Sequence, residues 1–397
     1  MPHVNRTLLP LFLLVVGCTR PGALRRDLDS PEWGTRYAAA GKLQALPAGT
    51  DTIALLCKAM NDPAPRVRRR ASQSLVALLD EDEGGRICDK LRGETDTAKL
   101  AAIEAMAASR APDSATPFLT EMLQHPSPEI RLAATRALRA SGDPQKVGAL
   151  LNLWQDQTDE NIRVAAIVSA SYPVEPARQN AAVIECYDDI LANSPQLLRR
   201  PDILRAVGDL GIASAEPHLL RMIDDPELCY LSIQALGKIR SEESVPRLLK
   251  ILEKNESWVM NREVCRALGR IRTQAAARTL AELFVEAEPQ RDRDSWDRLV
   301  FITAAMTRIG GDGVFEAFAS KITDKNFRDF ALYGLGTMTG ARVVRRENRW
   351  LYTWEGIQRL WREWWKEHSG EVAEKLEKEA EEERKLFGTY GGSAPEK

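Results

Sequence analysis

Asp62-Pro63-Ala64-Pro65-Arg66-Val67-Arg68 falls on Ser30-Pro31-Glu32-Trp33-Gly34-Thr35-Arg36 when the chain is shifted by 32 residues, and the same shift sets Leu75 on Leu43. Carried along the chain, the overlay collects ten anchors: Leu43, Leu75, Met106, Leu138, Ala170, Val207, Leu236, Leu268, Met306 and Leu335. Their separations are 32, 31, 32, 32, 37, 29, 32, 38 and 29 residues. So regular a step over nine intervals marks one structural unit, repeated with occasional loop insertions.

Each copy reads as two short amphipathic helices, the first carrying apolar residues at i, i+3, i+4 and i+7 and the second starting just after a Pro or Asp turn. First helices include 52–60, 116–124, 146–154, 215–223, 244–253 and 277–285; in the last, Leu280, Leu283 and Phe284 share a face. Second helices include 67–79, 130–140 and 162–171. Four residues before each of the first five anchors stands a small residue, Ala39, Ala71, Ala102, Ala134 or Ala166, which lets neighbouring helices approach closely. A pair this short cannot bury its apolar face alone, so the pairs must stack, each covering the face its neighbour leaves open. Strand signals are scarce. The expected fold is an all-α solenoid of stacked helical hairpins over residues 30–340, closed by a Trp-rich C-terminal cap.

These residues resemble HEAT repeats of the bacterial type also seen in phycobilin-lyase relatives. The likeness rests on Asp62-Pro63 followed by Val67-Arg68 and Ala71, on Ser127-Pro128-Glu129-Ile130-Arg131-Leu132-Ala133-Ala134, and on Asn161-Ile162-Arg163-Val164-Ala165-Ala166. It implies the fold and leaves the function open, because such arrays serve as scaffolds, adaptors and, occasionally, enzymes. It also implies that the Asp and Arg of the pattern, Asp62 and Arg68 here, bond between neighbouring repeats to hold the loops. Hydroxylases that resemble this fold hold iron with His-Glu pairs. None of the four histidines, His3, His125, His218 and His368, is followed by Glu. HExxH, Walker-A, GxSxG and GxGxxG motifs are absent as well, so the expectation is a chain with no catalytic residues, cofactor or bound metal.

At the start of the chain, Arg6 and the amino terminus form a short positive region, Leu8 to Val16 an apolar stretch, and Val15-Val16-Gly17-Cys18 a small-residue cleavage site. The arrangement resembles the lipobox of bacterial lipoproteins, which implies cleavage before Cys18 and lipidation of that residue. An ordinary signal peptide is the alternative. Spanning a bilayer takes about 20 apolar residues, about twice what this stretch offers. The domain reading is a signal peptide over 1–17, a tether over 18–29, the array over 30–340, a Trp-rich capping segment over 341–370, and a charged helix with a disordered tail over 371–397. Removing Cys18 leaves an odd set, Cys57, Cys88, Cys186, Cys229 and Cys265, read as buried thiols within helix patterns. A net charge of −2 gives no global basic field and argues against nucleic acid as a partner.

A row of cations is the candidate binding feature. Arg36, Arg68, Lys99, Arg131 and Arg163 each stand seven residues before an anchor, which places a positive charge on equivalent faces of five successive second helices. Such a row suits an acidic peptide or other macromolecular partner, since arginine forks bind carboxylates bidentately. The competing role is structural, in the loop contacts just described. Two insertions break the period: residues 286–297, read as a charged loop, and the stiff turn Tyr172-Pro173-Val174-Glu175-Pro176. Near the end, Trp350, Trp354, Trp361, Trp364 and Trp365 gather five of nine tryptophans in sixteen residues. Trp361, Trp364 and Trp365 share one side of a helix and suit a structural cap, with an aromatic ligand groove as the alternative. Glu371 to Lys385 reads as a solvated helix with a thin apolar stripe, Val372, Leu376 and Ala380. The functional expectation is a lipid-anchored, envelope-located scaffold or adaptor without catalysis that binds another macromolecule on the concave surface of the solenoid. Its alternatives are a lyase-like or hydroxylase-like enzyme and a purely structural periplasmic spacer.

Overall fold

The computed structural model describes residues 21–79, 84–109, 113–141, 143, 145–173, 177, 179–254, 257–287, 293–343 and 352–387. Among them every regular element is helical. The chain divides into two compact units at Ala177 and Arg178, inside the 37-residue spacing between the fifth and sixth anchors. Unit one holds α1 (Pro21–Leu28), α2 (Trp33–Lys42), α3 (Thr50–Met60), α4 (Pro65–Val76) and α5 (Gly84–Arg92). It continues with α6 (Asp96–Ala108), α7 (Thr116–Met122), α8 (Pro128–Ala140), α9 (Lys146–Asp156) and α10 (Glu160–Ala170). Unit two holds α11 (Ala181–Asn193), α12 (Pro201–Leu210), α13 (Glu216–Met222), α14 (Cys229–Ile239), α15 (Val245–Lys254) and α16 (Trp258–Ile271). It ends with α17 (Gln274–Glu286), α18 (Arg293–Ile309), α19 (Asp312–Ser320), α20 (Arg328–Thr339) and α21 (Trp354–Phe387). Among the described residues, odd and even helices pair as ten hairpins, and the fold is an all-α solenoid of stacked helical pairs.

Local chemistry sets the helix ends. Proline occupies the first turn of α4, α8 and α12, where its missing N–H leaves no intrahelical bond unmade. Side chains of Thr95, Asp159, Asn180 and Thr273 accept from backbone N–H groups at the starts of α6, α10, α11 and α17. All ten anchors are buried, as are the five alanines four residues earlier. At about 1.5–3 kcal/mol for each large aliphatic side chain, these positions dominate the stabilisation of each hairpin.

Within each unit, neighbouring even-numbered helices pack along their length, whereas neighbouring odd-numbered helices meet far less. Elements that lie closer on one face curve toward it, so the even helices line the inner side of each unit. In unit two the approach is set by glycine against alanine. A Cβ added at Gly208 would lie 2.9 Å from the Ala235 Cα, one at Gly237 2.7 Å from the Ala267 Cα, and one at Gly269 3.3 Å from the Ala305 Cα. Each glycine follows an anchor, and each alanine precedes the next anchor.

The C-terminal segment departs from expectation. Rather than a cap followed by a separate solvated helix, α21 runs unbroken through Gly370. Its stripe Val372, Leu376 and Ala380 is buried, and Leu376 fills the space beside Gly310, where a Cβ would come within 2.2 Å of it. Arg240 and Arg272, at the C-terminal ends of α14 and α16, adopt left-handed backbone angles (φ 59° and 62°) at positions where Gly211, Gly310 and Gly340 serve other hairpins. Their side chains reach α21: Arg240 donates to the Ala380 carbonyl (3.2 Å) and Arg272 to the Leu376 carbonyl (2.8 Å). The Glu383 carboxylate receives Arg272 at 3.1 Å and Arg308 at 3.4 Å. The helix is thus fastened to α14, α16 and α18, and the thin stripe is its seat. The insertion over 286–297 is also not all loop, because α18 already begins at Arg293.

Lys146 is buried at the start of α9, where its ammonium donates to the carbonyls of Leu138 (2.7 Å) and Ser141 and caps α8. Burial pushes its pKa down to about 8.

Replacing Gly237 with Val forces α14 from α16 and lowers the free energy of unfolding by about 1–3 kcal/mol, measured as a reduced urea midpoint. For Lys146 the unfolded chain binds more protons between about pH 8 and the ordinary lysine value of 10.5, so this residue's contribution rises with pH across that window and is lost as pH falls through about 8. Stepped-pH urea denaturation shows that rise in the native chain and not in Lys146→Met.

Candidate interaction surface

The predicted cation row lies on the even helices of unit one, but its guanidinium groups turn back to the chain. Arg36 Nη1 donates to the carbonyls of Ser30 (2.8 Å) and Pro31 (2.9 Å), while its other nitrogens clasp Asp62 at 2.6 and 3.1 Å. Arg68 donates to the carbonyls of Asp62 (2.9 Å) and Pro63 (3.0 Å), and Arg131 to those of His125 and Pro126, both at 2.8 Å. Burial disfavours the charge of Asp62, yet the hydrogen bonds from Arg36 and the Ala64 N–H hold its carboxyl below the usual carboxylate range. Arg163 follows a different path, donating to the Trp154 carbonyl (3.1 Å) and lying 4.5 Å from the ring centroid. Lys99 is half-buried on α6. Arg36, Arg68 and Arg131 share one cause: the carbonyls of the turn after an odd helix have no helical partner, and an arginine five and six residues later reaches them. Arg328, seven residues before the last anchor, makes the same pair of bonds to Ile322 (3.0 Å) and Thr323 (3.1 Å), although the predicted row stopped at Arg163.

Trp361 and Trp365 are buried against the last hairpin, and Trp364 is half-buried. Trp365 stacks on Phe315 with centroids 4.4 Å apart and donates its indole N–H to Asp312 at 2.9 Å. Trp364 instead stacks on His368, also at 4.4 Å. Cys18 and Trp350 lie outside the described residues. Cys57, Cys88 and Cys265 are buried free thiols, each pushed up to about 12 by desolvation, while Cys186 and Cys229 are half-buried. Among the described residues no three His, Cys, Asp or Glu side chains form a metal-holding group, and no helix is long and apolar enough to cross a membrane.

What the even helices present outward in unit two is a different set. Trp258 is 47% exposed on α16, Trp296 44% and Val300 47% on α18, and Tyr333 64% on α20. Trp258 and Trp296 both stand ten residues before their anchors, so they occupy equivalent positions on adjacent packed helices. The Arg262 guanidinium lies 5.4 Å from the Trp258 centroid, and Trp296 rests on Phe330 at 5.1 Å. Beneath them Glu263 is wholly buried, accepting from Gln234 and Arg262 at 2.9 Å each and facing Arg266 at 3.5 Å. A buried carboxylate is tolerated only with such partners, and here it fixes two arginines beside the exposed tryptophan. Exposed Trp, Tyr and Arg on a rigid helical face are the side chains that carry binding energy at protein interfaces.

Comparison with known families matches a model of HEAT repeats over residues 86–171 and 216–296 and a HEAT repeat over 53–81. The second stretch contains the Trp258 and Arg262 surface. No curated protein matches the chain. Among solved structures, an engineered protein is 17% identical, covers 92% of this chain and 98% of its own, and has a TM-score of 0.38. The Escherichia coli protein YibA is 15% identical over 78% of this chain and 98% of its own, with a TM-score of 0.39. The complex of CpcE and CpcF of phycocyanin lyase from Nostoc is 17% identical over 60% of this chain and 92% of the matched chain, with a TM-score of 0.31. At these scores the three likenesses carry no argument about function.

Arg131→Ala removes two charge-assisted bonds to a turn and lowers unfolding stability by about 1.5–3 kcal/mol, whereas Arg69→Ala, at an exposed position of α4, changes it by about 0.5 kcal/mol or less. Urea denaturation of the two variants separates turn-holding arginines from presented ones.

Proposed function

We propose that this chain is a non-catalytic scaffold, anchored to a bacterial cell envelope by lipid on Cys18, that grips another protein with the outward face of α14, α16, α18 and α20. HEAT repeats commonly mediate protein–protein contact, and the observation that carries this reading is the grouping of Trp258, Trp296, Val300 and Tyr333 beside Arg262 and Arg266. The unpaired fraction of these side chains supplies apolar anchors, and the arginines supply orientation and favour an acidic rim on the partner. Rigidity matters as much as composition, because a face held by Glu263 and by Gly–Ala helix contacts loses little entropy on binding.

A photo-crosslinking residue at Val300 in intact cells captures one reproducible protein, and Trp258→Ala with Trp296→Ala abolishes that adduct while leaving the helical circular-dichroism signal unchanged. Absence of any adduct, or one indifferent to both substitutions, contradicts the binding surface. Iron or pigment copurifying with the chain would contradict the non-catalytic part, and an unmodified Cys18 in mass analysis of the mature protein would contradict the anchor.

A further inference from the structure

The first hairpin of unit one carries a second exposed aromatic group whose chemistry differs from that of unit two. Trp33 and Tyr37, one turn apart on α2, are 47% and 41% exposed, with ring centroids 6.4 Å apart in an edge-to-face pair. From α4, the Arg66 guanidinium lies 5.5 Å from the Trp33 centroid and that of Arg70 lies 6.0 Å from the Tyr37 centroid. Arg70 lies across Gly41, where an added Cβ would fall 2.6 Å from its Nε. Two adjacent helices therefore offer two exposed rings, each flanked by a guanidinium.

The two helices that carry them are one-sided in charge, with the exposed Glu32 standing just before Trp33. Helices α2 and α4 together carry Arg36, Lys42, Arg66, Arg68, Arg69 and Arg70 and neither Asp nor Glu, in a chain whose net charge is −2. Arg36 and Arg68 are engaged in turns, which leaves Lys42, Arg66 and Arg69 exposed and Arg70 half-buried beside the rings. Later even helices of the same unit are mixed: α6 carries Asp96 and Glu104, α8 Glu129, and α10 Glu160. The cations are thus concentrated at the end of the array nearest the chain's start. Helix α1 begins at Pro21, three residues after Cys18 in the sequence.

From these observations we infer that Trp33, Tyr37, Arg66 and Arg70 form a seat for an anionic lipid surface. Indole and phenol rings settle at the headgroup level of a bilayer, with an apolar body inward and a polar edge in water. Arginine beside them forks onto lipid phosphates and is drawn by the negative surface potential. The seat goes beyond the protein-binding reading and shares none of its residues. It draws on the lipid-anchor part of that reading only for its location.

The test uses the chain from Thr19 onward, which lacks Cys18 and keeps every described residue, sedimented with phosphatidylcholine vesicles containing either no anionic lipid or about a third phosphatidylglycerol. The chain binds the anionic vesicles, ignores the neutral ones, and releases as salt is raised. Trp33→Ser with Tyr37→Ser weakens binding roughly tenfold, Arg66→Glu with Arg70→Glu weakens it at least as much, and Arg66→Lys with Arg70→Lys largely retains it, because the electrostatic part depends on charge. Circular dichroism remains that of the parent chain in all three. A parent chain that stays in the supernatant, or binding that no substitution alters, overturns the seat, as would four side chains that capture a soluble protein while vesicles are ignored. Failure of the lipid anchor itself is read separately, from the mass of the mature amino terminus.

Discussion

The close approach of even-numbered helices is the constraint from which the remaining features follow. In unit two it comes down to glycine set against alanine at Gly208 and Ala235, Gly237 and Ala267, and Gly269 and Ala305, where one additional carbon would meet backbone. Helices this near bury their anchors almost completely. Because neighbouring odd helices pack less closely, the difference in spacing bends each unit, and the even helices show one face inward to the core and the other to potential partners. Any side chain at the outward step of an even helix is therefore held at a fixed place on a stiff surface.

Polar groups serve that geometry in three ways. Arginines seven residues before an anchor close the turns that precede α2, α4, α8 and α20, and a buried lysine caps α8. Arg240 and Arg272 accept an uncommon backbone conformation at helix ends, where α21 receives their side chains and Glu383 gathers three cations. A terminal hairpin leaves one face without a neighbour, and α21 supplies cover there through Trp361 and Trp365 before crossing the ends of α18, α16 and α14. The outward arginines of α16 are different in kind, since Glu263 positions them beside Trp258 rather than beside a turn.

Most of the fold is visible in the sequence because the interaction that makes it is local and recurrent. Every anchor from Leu43 to Leu335 is buried, and helices expected over 116–124, 130–140 and 162–171 appear within a few residues of those limits. The meaning of the cation row was harder to read. Spacing places Arg68 and Arg131 on a helix face, but only coordinates show their nitrogens turned to carbonyls five and six residues back. The seat of α21 was hidden for another reason: three apolar residues among many charges look solvated, and the partners of Glu383, Arg308, Arg272 and Arg240, are far away in sequence. Trp258 and Trp296 did leave a signal, since tryptophan ten residues before an anchor also occurs at Trp33, at a position that other copies give to Pro, Asp, Glu, Leu or Lys.

If each hairpin is held chiefly by its neighbours, a lesion at one end must spread along the stack and fade. Hydrogen exchange followed helix by helix in a Leu24→Asp variant tests this most directly, because Leu24 is buried in the first hairpin. The account predicts the largest loss of protection in α1 and α2, a smaller loss in α3 and α4, and native protection throughout unit two. Equal loss across all ten hairpins, or loss confined to α1 with α2 untouched, would contradict it.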